Sequence, residues 1–374
     1  MLDGPVRAAS MQTGGNGDVL INGGSVDTTG SQLYGQHVIL GGVDTTLTGA
    51  NVQLNAGIDG TQPGQQGLVI VGNADIQGDV GATTPLRSVA VTGTTTLGGG
   101  KTHTTGDQVY NGAVTLKGDR DLTSDTGSVI LGSKLDGGNG NNLNVNAAKN
   151  IQVAGDATGL GSLTLRAVDT IVFNGDVSAY RVQQLEAKSA SYNGAVRASG
   201  PDGIDISGGN VSFGKNVTAD TGSIRIANTD ATGTTAFGAG STVKAATGFT
   251  QTGGAGLTLP AQLLVTQGDQ PGRAGQAAGR HRGHPDQWRH HRHRPERTAN
   301  HPDAGLRHGA LRIGLNDSDP SHKLDVAGLT VPNAGSADMW GTIGGKTGSM
   351  AATMVRSSLV GAPYYMNGAT GRRT

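Results

Sequence analysis

Between residues 18 and 265 the apolar residues fall in short alternating runs and nowhere in helical spacing. VLI (Val19 to Ile21), VIL (Val38 to Leu40), VQL (Val52 to Leu54), LVIV (Leu68 to Val71), SVAV (Ser88 to Val91), VTL (Val114 to Leu116) and SVIL (Ser128 to Leu131) recur at short intervals. They are rich in Val, Ile, Leu and Thr and are closed within two residues by Gly, Asn or Asp, the pattern of a short strand ended by a turn. No window holds apolar residues at i, i+3, i+4 and i+7 over three turns. The pattern predicts an all-β chain.

The strands belong to longer repeats. TTGSQLYGQHVIL (Thr28 to Leu40) returns 76 positions later as TTGDQVYNGAVTL (Thr104 to Leu116), without a gap. GNADIQGDVGATTPLRSVAV (Gly72 to Val91) parallels AAKNIQVAGDATGLGSLTL (Ala147 to Leu165). DTGSVIL (Asp125 to Leu131) recurs as DTGSIRI (Asp220 to Ile226), and SYNGAV (Ser191 to Val196) opens a weaker third copy. Self-similarity at a fixed period marks stacked architectures, in which a unit buries its apolar face only against its neighbours. Divided into four, the 76-residue unit predicts a parallel β-helix of roughly 19-residue coils. About 13 such coils at about 4.8 Å each would give a rod of roughly 60 Å. The rival all-β architecture is a string of immunoglobulin-like sandwiches, which usually carry a core Trp or Tyr and longer strands. Tyr34, Tyr110 and Tyr192 hold matching places in the units and are expected to stack in or beside a coil corner.

Composition narrows the function classes. Of 374 residues 65 are Gly, only 3% are aromatic, 15% are charged, and the formal net charge is 0. Balanced charge supplies no general attraction to nucleic acid or to an anionic membrane. The chain has no Cys, which excludes disulfides and thiolate metal sites. No apolar run approaches the length of a membrane helix, and MLDGPVRAAS lacks the basic and apolar regions of a signal peptide.

The wording TTGDQVYNGAVTL, DLTSDTGSVIL, LNVNAAKNIQVAGD and SLTLRA resembles the repeats of bacterial exoproteins of the filamentous haemagglutinin type, over about Asp18 to Val265. The resemblance implies a secreted, right-handed parallel β-helix at the bacterial cell surface. It also implies an adhesive role towards host or bacterial surface receptors or glycans, and export of the full-length protein by an outer-membrane transporter. The signal peptide and N-terminal secretion domain of that family are not in this sequence, so the chain is expected to be a fragment. Four regions follow: an irregular start (1–17), the β-helix (18–265), an Arg/His/Pro/Gly-rich irregular segment (266–312), and a short strand-containing C-terminal segment (313–374).

The third region breaks the pattern. From Gly268 to Arg312 it carries nine Arg and seven of the ten His. His290, His291 and His293 could ligate a metal, the arginines could meet phosphates, or the stretch could be a solvated linker. The genetic code offers another reading. Shifted by one base, and with Arg taken as CGN, PDQWRHHRHRP can decode as LTSGGTIDIG, which is β-helix wording, so the segment reads as a frameshift product. It is then expected to form no coil, with strand structure resuming at KLDVAGLTV (Lys323 to Val331).

Candidate chemistry elsewhere is sparse. No phosphate-binding loop, zinc-protease or serine-hydrolase motif occurs. GGNGNNLNV (Gly137 to Val145) is similar to a calcium-binding nonapeptide, but Asn142 replaces its Asp and Asn144 its apolar residue. Asn228-Thr229-Asp230 matches a tripeptide of β-helical polygalacturonases, without the Asp-Asp pair or Gly-His-Gly those enzymes need. No catalytic, cofactor-binding or metal residue is assigned and no cofactor or nucleic-acid partner is expected. The expected class is a structural and adhesive protein rather than an enzyme. The alternative is a carbohydrate-active β-helix or carbohydrate-binding module.

Overall fold

The computed structural model describes residues 1–265 and three later strands, Ala310–Gly314, Lys323–Asp325 and Ser336–Trp340. Among the described residues there is no helix, and every strand pairing is parallel. Three ladders run side by side. The first takes in Ser25–Thr28, the first half of Asp44–Leu54, the first half of Gly67–Ile76, Ser88–Val91 and Gln108–Tyr110. The second contains Gln32–Tyr34, the second halves of those two long strands, Thr95–Leu97 and Val114–Leu116. The third runs from Val19–Ile21 through Val38–Leu40 and Ile58–Gly60, then by bridges at Val80 and Thr102 to Arg120–Ser124. Each coil contributes to all three, so the fold is a three-faced β-solenoid of about 12 turns.

Strand alternation builds the core. In Val38–Leu40, Ser88–Val91 and Val129–Leu131 the flanking Val and Leu side chains are buried and the residue between them (Ile39, Ala90 or Ile130) points outward. The buried residues form one cluster from Val19 to Val265. Stacked by register, they place like on like: Phe173, Tyr192, Phe213 and Phe237 occupy one column of the first face. Their rings stack at centroid spacings of 5.5, 5.4 and 5.2 Å with interplanar angles of 11°, 13° and 10°. Offset stacking of this kind adds to the area the rings bury.

Corners are tight. A Cβ on Gly194 would lie 2.1 Å from the carbonyl oxygen of Gly175, one coil earlier, so only glycine lets the two backbones approach there.

Four expectations need correction. The coils hold about 21 residues, not 19. The 76-residue repeat is not four coils but three coils and two further faces, because Tyr34 lies on the second face and Tyr110 on the first. The start (1–17) is not irregular: Val6–Ala8 and Met11–Thr13 pair in register with Ser25–Thr28 and Gln32–Tyr34. Their alternation is weak because the terminal coil is covered on one side only. Finally, Ala310–Gly314 begins inside the stretch expected to be irregular and pairs with Gly248–Thr252. Residues 266–309, with His290, His291 and His293, lie outside the described residues. Of the strand expected over Lys323 to Val331, Lys323–Asp325 is described and pairs with Gly256–Thr258, and residues 326–331 lie outside the described residues.

Candidate functional site

The repeated Gln and Tyr are interior. Tyr34, Tyr110 and Tyr192 are fully buried, and Tyr192 stacks between Phe173 and Phe213. Gln32 Nε2 donates to Val26 O in its own coil and to Thr48 O in the next, each at 2.8 Å, and its Oε1 accepts from the Tyr34 hydroxyl at 2.8 Å. Gln108 repeats the arrangement, donating to Thr102 O at 3.3 Å and to Thr123 O at 2.7 Å. Tyr192 finds a glutamine from another position, Gln184, at 2.9 Å. A chain leaving one strand for the next face strands polar groups inside the coil, and a buried glutamine amide satisfies them. The repeated wording thus encodes a corner and sits at two different ones, first-to-second face at Gln32 and third-to-first at Gln108. Burial pushes all three phenols up from their ordinary value, with the nearby Arg120 guanidinium partly opposing it at Tyr110.

Asp and Asn side chains do the corresponding work on the outside of the corners. Asp79, Asp119, Asn142, Asp156 and Asp176 accept the backbone N–H of Lys101, Asn142, Ser162, Asp176 and Ala195, each one coil further on, at 2.6 to 2.8 Å. Asn142, the residue similar to a calcium-loop position, is therefore a rung between Asp119 and Ser162; its Nδ2 also donates to Asp119 at 2.9 Å. Asn144 lies exposed on Leu143–Ala147.

Asn228, Thr229 and Asp230 do not converge on a catalytic pair. Asn228 is buried, donates to Gly209 O at 2.8 Å, and accepts from Thr235 and Gln251 at 2.8 and 2.9 Å. Asp230 is exposed and closes a turn onto the Thr232 N–H at 2.9 Å, which holds its carboxyl below the ordinary value. His37 and His103 are spent between coils, on Asp59 and Asp125, each at 3.0 Å. Among the described residues no group of three or more His, Asp or Glu is placed to hold a metal.

Two features escaped sequence reasoning. Arg120 is buried, with its guanidinium donating to Gly99 O and Thr102 Oγ1 and its Nε unpartnered. Burial pushes its pKa down, against the pull of Tyr110, Asp79 and Asp121. The second is an open groove of about 440 Å³ on the corner between the second and third faces, lined by Asn142, Ser162, Tyr180, Arg181 and Asp202 among others. An aromatic followed by Arg at a break in the alternation (VSAYRVQQL) was the available signal. No helix among the described residues is long and apolar enough to cross a membrane. No family model, no curated protein and no solved structure matches the chain.

Proposed function

We propose that the chain is the repeat region of a secreted or cell-surface bacterial exoprotein of the filamentous haemagglutinin type, which attaches to host or bacterial surface receptors or glycans. The observation that carries this reading is the parallel solenoid of about 12 turns, which sets outward side chains in register along three faces. A surface of that kind suits many weak contacts that add by effective concentration. In the full-length protein the partner for export is an outer-membrane transporter. The chain acts as a binder and not as an enzyme: Asp79, Asp119, Asp156 and Asp176 are used to hold backbone. Among the described residues one carboxylate, Asp202, lines the groove, whereas glycoside hydrolysis employs a facing pair.

Beads coated with the full chain are expected to bind epithelial or bacterial cells above albumin-coated beads, with binding rising faster than coating density. Equal binding by the two bead types overturns the adhesive reading. Release of reducing ends from a polysaccharide panel would put the chain among carbohydrate-active enzymes instead.

A further inference from the structure

Within residues 1–265 the chain has four Phe and four Tyr, and seven of these rings are buried while Tyr180 is 53% exposed. The strand Val177–Glu186 explains the exception. Val177 and Ala179 point inward on the second face, Val182 and Gln184 on the third, and Tyr180 with Arg181 falls at the corner between them. The ring is supported from one side. A Cβ on Gly200, in the next coil, would lie 2.6 Å from Tyr180 Cε1, so glycine is what lets the ring lie down against that backbone.

The polar groups beside it are uncommitted. The Nε of Arg181 is buried without an acceptor. Among the described residues neither Arg181 nor Asp202 forms an ion pair. The rest of the lining is fixed, since Asn142 Oδ1 holds the Ser162 N–H at 2.6 Å. The groove is open and shallow, about 440 Å³, a shape that would hold one face of a ligand and leave the other in water.

One cation and one anion lining the same groove disfavour a phosphate or carboxylate ligand as much as an ammonium. A guanidinium only donates and a carboxylate only accepts, whereas a hydroxyl does both. An aromatic surface next to such a pair suits a neutral ring with an apolar C–H face and hydroxyls on its rim. We propose that this corner binds a neutral pyranoside of a surface glycan. The C–H face of the sugar lies on Tyr180, with its hydroxyls accepting from Arg181 and donating to Asp202. This assigns a ligand class to the adhesive reading and rests on it.

Saturation-transfer NMR on the full chain with methyl glycosides of glucose, galactose and mannose tests the site. Ring C–H protons of at least one glycoside are expected to receive saturation. Tyr180→Ala should weaken that glycoside by about tenfold or more, a loss of ~1.4 kcal/mol, while Tyr180→Trp retains it and neither changes the thermal midpoint. No transfer to any neutral glycoside, equal binding by Tyr180→Ala, or tighter binding of a uronic-acid glycoside overturns the proposal. The bead assay separates the two claims: adhesion without saturation transfer sinks the site alone, and transfer without adhesion sinks the adhesive reading alone.

Discussion

At the scale of the residue, the interior of this solenoid is not purely aliphatic, and its polar members carry consequences. Tyr34, Tyr110 and Tyr192 are buried with their hydroxyls turned to glutamine amides. Burial raises each phenol above its ordinary value of 10.0, so the folded chain holds protons that the unfolded chain gives up. The protonated, folded form is then fully favoured below about pH 10, and stability falls as pH rises above it. Thermal midpoints followed by circular dichroism are expected to be flat from about pH 8 to 9.5 and to drop steeply beyond about pH 10. A midpoint unchanged well into that alkaline range contradicts the burial of these phenols. Tyr→Phe at position 110 should lessen the alkaline drop, since it removes one of the linked protons.

At the scale of the element, the corner is the unit that the sequence writes repeatedly. Each strand is held by its parallel neighbours, but a corner breaks the ladder and leaves N–H groups to be satisfied by side chains. Asp176 shows how: it accepts the Ala195 N–H at 2.8 Å and gives its own N–H to Asp156 Oδ1 at 2.8 Å. Asn73, Asn210 and Asn216 play the same part for Thr94, Thr234 and Thr242. The shared requirement is a short side-chain oxygen and not a charge. Asp176→Asn should therefore be near neutral in urea denaturation, while Asp176→Ala costs ~1 kcal/mol. Equal losses in both would assign the role to charge instead, for which Lys215, at 3.7 Å from Asp176 Oδ1, is the available partner. The Gln of TTG-x-Q-x-Y was legible as a repeated letter but not as a buried one. Its inward position follows from the phase of Gln32–Tyr34, and Gln reads as a surface residue until that phase is known.

At the scale of the whole molecule, a solenoid is held together between neighbours. A defect in one coil is felt by the coils above and below and hardly beyond them. Phe213 sits between Tyr192 and Phe237 in the aromatic column. Phe213→Ala is expected to cost ~3 to 5 kcal/mol locally. Hydrogen exchange should speed up in Ser189–Tyr192, Asn210–Phe213 and Thr234–Phe237 while Gln32–Tyr34 keeps its protection. Uniform acceleration along the chain would mean a single cooperative core in place of a stack.

The sequence by itself determined the class of fold. Alternation at period two, turns of Gly, Asn and Asp, and near-copies such as SVIL and SIRI leave a parallel stack as the way to bury every strand. It could not determine the coil. Counting letters gives a period of 76, and only the pairing of Tyr34 with Leu54 and of Tyr110 with Leu131 shows that the copies lie on different faces. A corner is chemically the same whichever faces it joins, so the repeat carries no record of where a turn of the solenoid closes. The same limit applies to Tyr180, exposed although its residue type belongs inside, whereas the buried Arg120 stands in phase with Leu122 and Ser124 of its own strand. Alternation fixes inside and outside only within a strand, and each corner resets its phase. Which residues meet at a corner, and with them the groove of Asn142, Ser162, Tyr180, Arg181 and Asp202, was settled by the stacking of coils.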